Sequence, residues 1–166
     1  DLFDIKTDTI NRPQSVYIPK IFSVELVKRM YTIATALGIS FGVYVSLHLK
    51  NPVYSFIFIV SALLLYYYSK YLKRIAVVGN IVVSFLISLS FLVLVFFEKI
   101  SYESLAFQVI IFFSISAFLL NLIREILKDI EDIEGDYALK MRTLPILIGR
   151  QRSQQITAVL CLFPSA

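Results

Sequence analysis

The sequence predicts an all-α bundle of membrane-spanning helices. Apolar residues make up 58% of its 166 residues and charged residues only 17%, with a mean hydropathy of +0.77. Soluble domains are roughly 45–50% apolar and about 25% charged. The apolar residues are gathered in four long runs, which is typical of segments that cross a bilayer. Strands are not expected, because an open sheet edge has no hydrogen-bond partners in lipid.

The order of polar and apolar segments predicts how the chain is organised. Residues 1–29 are polar, and Pro13 and Pro19 prevent one continuous helix there. Residues 30–127 contain the four apolar runs, each near the roughly 20 residues that cross about 30 Å of hydrocarbon. The runs cover residues 30–49, 53–68, 75–97 and 105–127. An acidic segment, 128–152, and the start of another helix, 153–166, follow. We expect one transmembrane domain of four full helices and the start of a fifth, truncated at both ends.

Charge predicts the orientation of these helices. Of the 16 lysines and arginines, only Lys50 and Lys99 fall on the far side of the expected membrane. The positive-inside rule makes the other side cytoplasmic. Because four spans separate residues 1–29 from 128–152, both polar segments are expected on that face. The sequence therefore predicts an integral protein of the cell (inner) membrane. Polar residues inside the fourth run are expected to hydrogen-bond between helices. They are Ser114, Ser116 and Asn121.

Two rows of aspartates with the same i, i+3, i+7 spacing lie in the polar segments. The rows are Asp1, Asp4 and Asp8, and Asp129, Asp132 and Asp136. On a helix each row falls within about 60° of arc. A solvated acidic cap is the alternative interpretation of one row alone, but two rows at one membrane face can converge on shared metal. Carboxylates favour hard cations such as Mg²⁺, and the single His48 and single Cys161 exclude a site built from histidines or cysteines.

Basic residues at the same face would suit a metal-bound diphosphate. They are Arg12, Lys73, Arg74, Lys140 and Arg142. The metal and these groups would neutralise the charge that develops on a departing diphosphate. An adjoining apolar cavity between helices would suit a hydrocarbon tail. The pattern therefore indicates departure of diphosphate from a lipid. No nucleic-acid motif occurs, and the basic balance is explained by membrane topology.

Three motifs resemble those of the UbiA superfamily of membrane-embedded prenyltransferases. DLFDIKTDTINRP resembles the first aspartate motif, and KDIEDIEGD followed by TLPILIGR resembles the second. YSKYLKR at 68–74, with Gly79 and Asn80 after it, is similar to a third signature. The resemblance covers nearly the whole chain and implies a fold of nine transmembrane helices. This chain would supply helices three to six and the start of the seventh, and is expected to be inactive alone.

The resemblance also implies roles for individual residues. The metal ligands would be Asp1 and Asp4 with Asp8, and Asp132 and Asp136 with Asp129. Of these, Asp4, Asp132 and Asp136 are the candidate catalytic residues. Arg12, Lys73 and Arg142, beside Arg74, match basic positions that touch the diphosphate, and Tyr68 matches a tyrosine near it. Two departures are present: residues 14–19 lack the second arginine of the family, and Lys140 replaces a common glycine.

We therefore expect a Mg²⁺-dependent enzyme that moves a prenyl group from a prenyl diphosphate to a lipid or aromatic acceptor. The acceptor would be geranylgeranylglycerol phosphate or a quinone precursor, and the second motif is similar to that of members acting on the former. A CDP-alcohol phosphatidyltransferase would carry Asp-Gly-x-x-Ala-Arg, which this sequence lacks. A cation transporter or assembly protein is the non-enzymatic alternative. Transporters place ionisable groups near mid-membrane, whereas the four predicted spans carry no charge there.

Overall fold

The computed structural model describes residues 2–162, which form eight α-helices and three short 3-10 helices. Within that range, four helices are long and apolar enough to cross a membrane. The predicted all-α transmembrane bundle is therefore confirmed. Asp1 and residues 163–166, which include one candidate metal ligand and part of the expected fifth helix, lie outside the described residues. The chain divides into two compact units, Asp1–Lys70 and Tyr71–Ala166.

The first unit contains three α-helices: α1 (Ile5–Asn11), α2 (Val24–His48) and α3 (Ser55–Lys70). Two of the 3-10 helices lie at Pro13–Ser15 and Pro52–Tyr54. Both begin with proline, whose missing N–H is not needed at the first position of a helix. The second of them leads directly into α3.

Helix α2 begins six residues before the apolar run that starts at Met30. Ser23 caps it, since the backbone N–H of Leu26 donates to Ser23 Oγ at 3.2 Å. The first turns of α2 are polar but helical, so hydropathy alone predicted the start of the helix too late. Helices α2 and α3 pack along each other, with Gly42 directly against the ring of Phe58.

The second unit contains the remaining five α-helices. They are α4 (Val78–Phe97), α5 (Leu105–Glu131), α6 (Ile133–Ala138), α7 (Leu144–Ile148) and α8 (Arg150–Cys161). Helix α4 packs along α5, and α8 also packs against α5. A small apolar core formed by Ile126, Ile130 and Leu144 holds the end of α5 against α7 and α8.

The start of α4 differs from the prediction. The apolar run begins at residue 75, but the helix begins at Val78. The backbone before Val78 is not α-helical because it forms hydrogen bonds of other kinds. Leu72–Arg74 form the third 3-10 helix, and Ile75 pairs with Arg142 in an isolated parallel β-bridge. Val77 then turns the chain with φ of 67°, and the N–H of Val78 donates to the C=O of Ala76 at 2.7 Å. This is the strained form of the γ-turn.

Buried polar side chains join α4 to α5 along their length. Asn121 Nδ2 donates to Ser84 Oγ at 3.2 Å, and the hydroxyls of Ser88 and Ser114 are 2.6 Å apart. Asn80 Nδ2 donates to Asp129 Oδ2 at 2.9 Å. The predicted interhelical role of Ser114 and Asn121 is thus confirmed. We call these residues the α4–α5 polar seam; they are Asn80, Ser84, Ser88, Ser114, Asn121 and Asp129.

Candidate active site

The second aspartate row lies where α5 ends and α6 begins. Asp129 is half-buried in the last turn of α5, and Asp136 is buried in α6 with 5% of its surface exposed. Asp132 stands between the helices with ψ of 9°, instead of the roughly −40° of a regular helix. The row is therefore not carried on one continuous helix, as its spacing suggested. The backbone nevertheless keeps a helical hydrogen bond here, since the N–H of Asp136 donates to the C=O of Asp132 at 3.0 Å.

The carboxylates of this segment lie within electrostatic range of one another. Asp129 feels the negative charge of both Asp136 and Glu125. Glu125 lies one turn before Asp129 on the same stripe of α5, and it is buried beside the guanidinium of Arg124, 2.7 Å away. Like charges held in range of each other are relieved by a bound cation. Glu131 and Glu134 are exposed.

The donors of this segment fit a hard divalent cation. Among residues 2–162, no three carboxylate, histidine or cysteine side chains are grouped closely enough to hold a metal ion between them. Mg²⁺ usually keeps several waters and is bound through one or two carboxylates together with substrate phosphates. Asp129 and Asp136 lie within electrostatic range of each other and are candidates for such a pair of oxygen ligands. The full set of six aspartate ligands stays a prediction, and Asp1 is outside the described residues.

The basic signature and the loop that follows the second row are joined through their backbones. The N–H of Arg142 donates to the C=O of Arg74 at 2.9 Å, which forms part of the bridge between Ile75 and Arg142. Lys73 is half-buried, whereas Arg74 and Arg142 are exposed. Three of the five candidate diphosphate-binding residues, Lys73, Arg74 and Arg142, therefore come together in the second unit.

A glycine makes the approach of the basic signature possible. The Cβ of any other residue at Gly79 would lie 2.6 Å from the carbonyl oxygen of Leu72 and 2.8 Å from the Cα of Lys73. Backbone atoms cannot rotate away from such a contact as a side chain can. Gly79 thus fixes how closely the first turn of α4 lies against the 3-10 helix that carries Lys73.

The first aspartate row belongs to α1 in the first unit. Asp4 immediately precedes the helix, Asp8 lies within it, and both are half-buried. Successive backbone bonds run from the N–H of Asp8 to the C=O of Asp4 and from the N–H of Arg12 to the C=O of Asp8, each 2.8 Å. The row is helical from Asp4 onward, but it lies in a different unit from the second row, so convergence on shared metal stays a prediction.

A cavity of about 840 Å³ opens beside the first row, within the first unit. Phe3 and Tyr66 form part of its wall and meet edge to face, with ring centroids 6.1 Å apart. Lys70 Nζ lies 5.6 Å from the centroid of the Tyr66 ring. Tyr68 is half-buried in the last turns of α3. Mostly apolar cavities of this size with a few polar groups are suited to small ligands.

Sequence reasoning gave no role to two polar residues of the second unit. The sequence analysis named Asn80 only as part of the third signature. A polar residue in the first turn of an apolar helix is itself a sign of a polar contact with another helix. Thr143 entered only in the Thr-Leu-Pro string. Its side chain is buried, and its hydroxyl has no hydrogen-bond partner.

Four long apolar helices, with carboxylates and basic residues gathered beside their ends, define the class of integral membrane proteins with a charged polar segment. The chain belongs to the UbiA prenyltransferase family, whose model matches residues 1–166. The resemblance read from the three motifs is thereby confirmed. Members of this family generally use a divalent metal ion.

Curated relatives from archaea are similar over almost the whole chain, and each is named digeranylgeranylglyceryl phosphate synthase. That of Methanopyrus kandleri is 35% identical over 98% of this chain. Those of Methanothermobacter thermautotrophicus and Thermococcus kodakarensis are 37% and 32% identical over 99% and 98% of it. The chain spans about half the length of these relatives, between 54% and 56%. No solved structure matches the chain significantly.

Proposed function

We propose that the protein is a Mg²⁺-dependent prenyltransferase that moves a prenyl group from a prenyl diphosphate to a hydroxyl of a glyceryl phosphate lipid. The observation that carries the proposal is the backbone hydrogen bond from Arg142 to Arg74, at 2.9 Å. It joins the basic signature to the loop that follows Asp136, in a chain of a prenyltransferase family. This bond supports the proposal that anion-binding and cation-binding groups belong to one end of the α4–α5 pair.

The residues of the second unit would act on the leaving group. Lys73, Arg74 and Arg142 would donate charge-assisted hydrogen bonds to the diphosphate oxygens. A divalent ion held by Asp132 and Asp136, with Asp129 accompanying them, would neutralise the negative charge that develops there. The allylic carbon–oxygen bond breaks and its electron pair leaves with the diphosphate. The acceptor hydroxyl oxygen then bonds to that carbon, and its proton passes to a basic oxygen of the released diphosphate.

The relatives' names favour a glyceryl phosphate acceptor over the aromatic one. The motifs alone left both acceptors open, but the three relatives described above are each named digeranylgeranylglyceryl phosphate synthase. The cavity beside α1, walled in part by Phe3, Tyr31 and Tyr66, would suit an isoprenoid chain. Both aspartate rows are proposed to face the cytoplasm, because the positive-inside rule places the basic residues there.

Product analysis with two acceptors tests the proposal. Purified full-length protein in detergent is incubated with prenyl diphosphates, Mg²⁺ and either geranylgeranylglycerol phosphate or an aromatic quinone precursor, and the products are identified by mass spectrometry. We expect prenylation of the glyceryl phosphate, loss of activity with a chelator, and recovery on adding Mg²⁺. Prenylation of the aromatic acceptor alone would show that the proposed acceptor is wrong. Cation flux in vesicles without any prenyl transfer would favour the transporter.

Two aspartate substitutions test the proposed residues. Asp132→Asn and Asp136→Asn remove charge at nearly constant volume, and each is expected to lower turnover by at least about 100-fold. Glu134→Gln is the matched control, because Glu134 is exposed in the same segment. Its turnover should stay within about twofold of the wild type, since an exposed carboxylate is weakly coupled to the site. Unchanged turnover in both aspartate variants would contradict the assignment.

A further inference from the structure

We propose that Asn80 is a positioning residue that orients the Asp129 carboxylate toward the divalent ion of the second aspartate row. The inference rests on the proposed function, since it takes the acidic segment as the metal-binding part of the site. Asn80 lies in the first turn of α4 and is 4% exposed, and its Nδ2 donates to Asp129 Oδ2 at 2.9 Å. The two residues are 49 positions apart in the sequence.

The partner of Asp129 is an amide, which adds no positive charge beside the carboxylate. An asparagine Nδ2 is a neutral donor, so it fixes the direction of one carboxylate oxygen without cancelling the negative charge as a lysine or arginine would. The second oxygen, Oδ1, keeps lone pairs that can bind a cation. Asp129 is at the same time held in the electrostatic field of Asp136 and Glu125. A carboxylate that is oriented by a neutral donor and lies beside like charges is suited to a cation.

Asn80 is itself held in place from both directions along α4. On one side, Gly79 packs against the backbone of Leu72 and Lys73. On the other, the backbone C=O of Asn80 accepts a hydrogen bond from Ser84 Oγ at 2.6 Å, and Ser84 Oγ accepts one from Asn121 Nδ2 at 3.2 Å. The amide therefore has little freedom to follow a displaced carboxylate. A rigid donor is what fixing the direction of a ligand requires.

A comparison of two asparagines separates this role from simple helix packing. Asn80→Ala removes the donor to Asp129, whereas Asn121→Ala removes the other amide of the α4–α5 polar seam, which bonds to Ser84. Both should lower the thermal stability of the metal-free protein. Only Asn80→Ala is expected to weaken Mn²⁺ binding, measured by electron paramagnetic resonance on the purified full-length protein, by roughly 10- to 100-fold. The Mg²⁺ concentration for half-maximal turnover should rise in parallel.

A double-mutant cycle tests whether Asn80 acts through Asp129. The effect of Asn80→Ala on Mn²⁺ affinity should shrink to less than about threefold in an Asp129→Asn background, because groups acting through one contact are not additive. Asn80→Leu, which has the same branched side-chain skeleton but no donor, gives the same comparison if the alanine variant does not fold. Turnover of Asn80→Ala should be largely restored at saturating Mg²⁺.

The outcomes distinguish this inference from the proposed function. Equal weakening by Asn80→Ala and Asn121→Ala, or an equal effect of Asn80→Ala in both backgrounds, would overturn the positioning role while prenyl transfer by the wild type stands. Selective weakening by Asn80→Ala without prenyl transfer by the wild type would support the positioning role and contradict the proposed reaction. A wild type that binds no Mn²⁺ either alone or with inorganic diphosphate present would overturn both.

Discussion

Replacement of Gly79 by alanine should destabilise the protein even though alanine is the better helix former. The new Cβ would lie 2.6 Å from the carbonyl oxygen of Leu72 and 2.8 Å from the Cα of Lys73. Overpacking of this kind costs about 1–3 kcal/mol, and here the upper half applies because both neighbours are backbone atoms. The gain in helix propensity offsets about 0.5–1 kcal/mol. We expect a net loss of about 1–2 kcal/mol in the free energy of unfolding.

Gly38 provides the matched control for this substitution. It also lies inside a long apolar helix, α2, but nothing stands within 4 Å of the position that its Cβ would take. Gly38→Ala should therefore stabilise the protein by about 0.5–1 kcal/mol. The two variants should differ by about 2 kcal/mol in denaturant titrations followed by circular dichroism in detergent. Gly79→Ala should also raise the KM for prenyl diphosphate, since the backbone of Lys73 must move.

The reasoning would be refuted if Gly79→Ala were as stable as the wild type or gained stability to the same extent as Gly38→Ala. That result would mean that the first turn of α4 accommodates a side chain without displacing Leu72 and Lys73. A loss of stability with an unchanged KM would show that the close approach matters for packing but not for the proposed diphosphate site.

Two further substitutions are expected to stabilise the protein, each measured by thermal unfolding in detergent. Lys140 has φ of 55°, a backbone conformation that favours glycine, so Lys140→Gly should raise the free energy of unfolding by about 1 kcal/mol. Lys128→Gly, its control inside α5, should lower the free energy of unfolding by about as much. The buried hydroxyl of Thr143 has no hydrogen-bond partner, so Thr143→Val should raise the free energy of unfolding by about 1 kcal/mol. Thr157→Val, which loses the bond from Thr157 Oγ1 to the C=O of Ser153, should remove about 1 kcal/mol. Destabilisation by Lys140→Gly would show that the backbone at residue 140 is not strained, and destabilisation by Thr143→Val would show that the buried hydroxyl does not cost stability.

The fold was predictable where hydropathy and helix boundaries coincide. Helix α5 begins at Leu105 in the sequence pattern and in the structure, because Ser104 caps it and the apolar run starts at once. Helix α4 starts later than its apolar run because Ile75 finds a partner in Arg142. That partner lies 67 residues further along the chain, so no local pattern could reveal it.

The candidate site was predictable in its residue types but not in its contacts. Spacing identified Asp129 and Asp136 as a row, and motifs identified Lys73 and Arg142 as basic positions. The bend at Asp132 depends on backbone geometry that spacing does not contain. The bond from Asn80 to Asp129 joins two helices, so it depends on the rotation of α4 against α5. Periodicity gives the face of each helix but not which residues meet across the pair.

The α4–α5 polar seam has a consequence for how the two helices assemble in the bilayer. The loop between them is short, with α4 ending at Phe97 and α5 beginning at Leu105, so they can enter as a helical hairpin. Lipid offers apolar residues no preference for one vertical alignment over another, because hydrocarbon surrounds them either way. A slip by one turn, about 5.4 Å, would separate Asn80 from Asp129 and Ser88 from Ser114. At about 0.6 kcal/mol for each interhelical bond, the seam selects one alignment during insertion. That alignment is the one that brings Asp129 to Asn80.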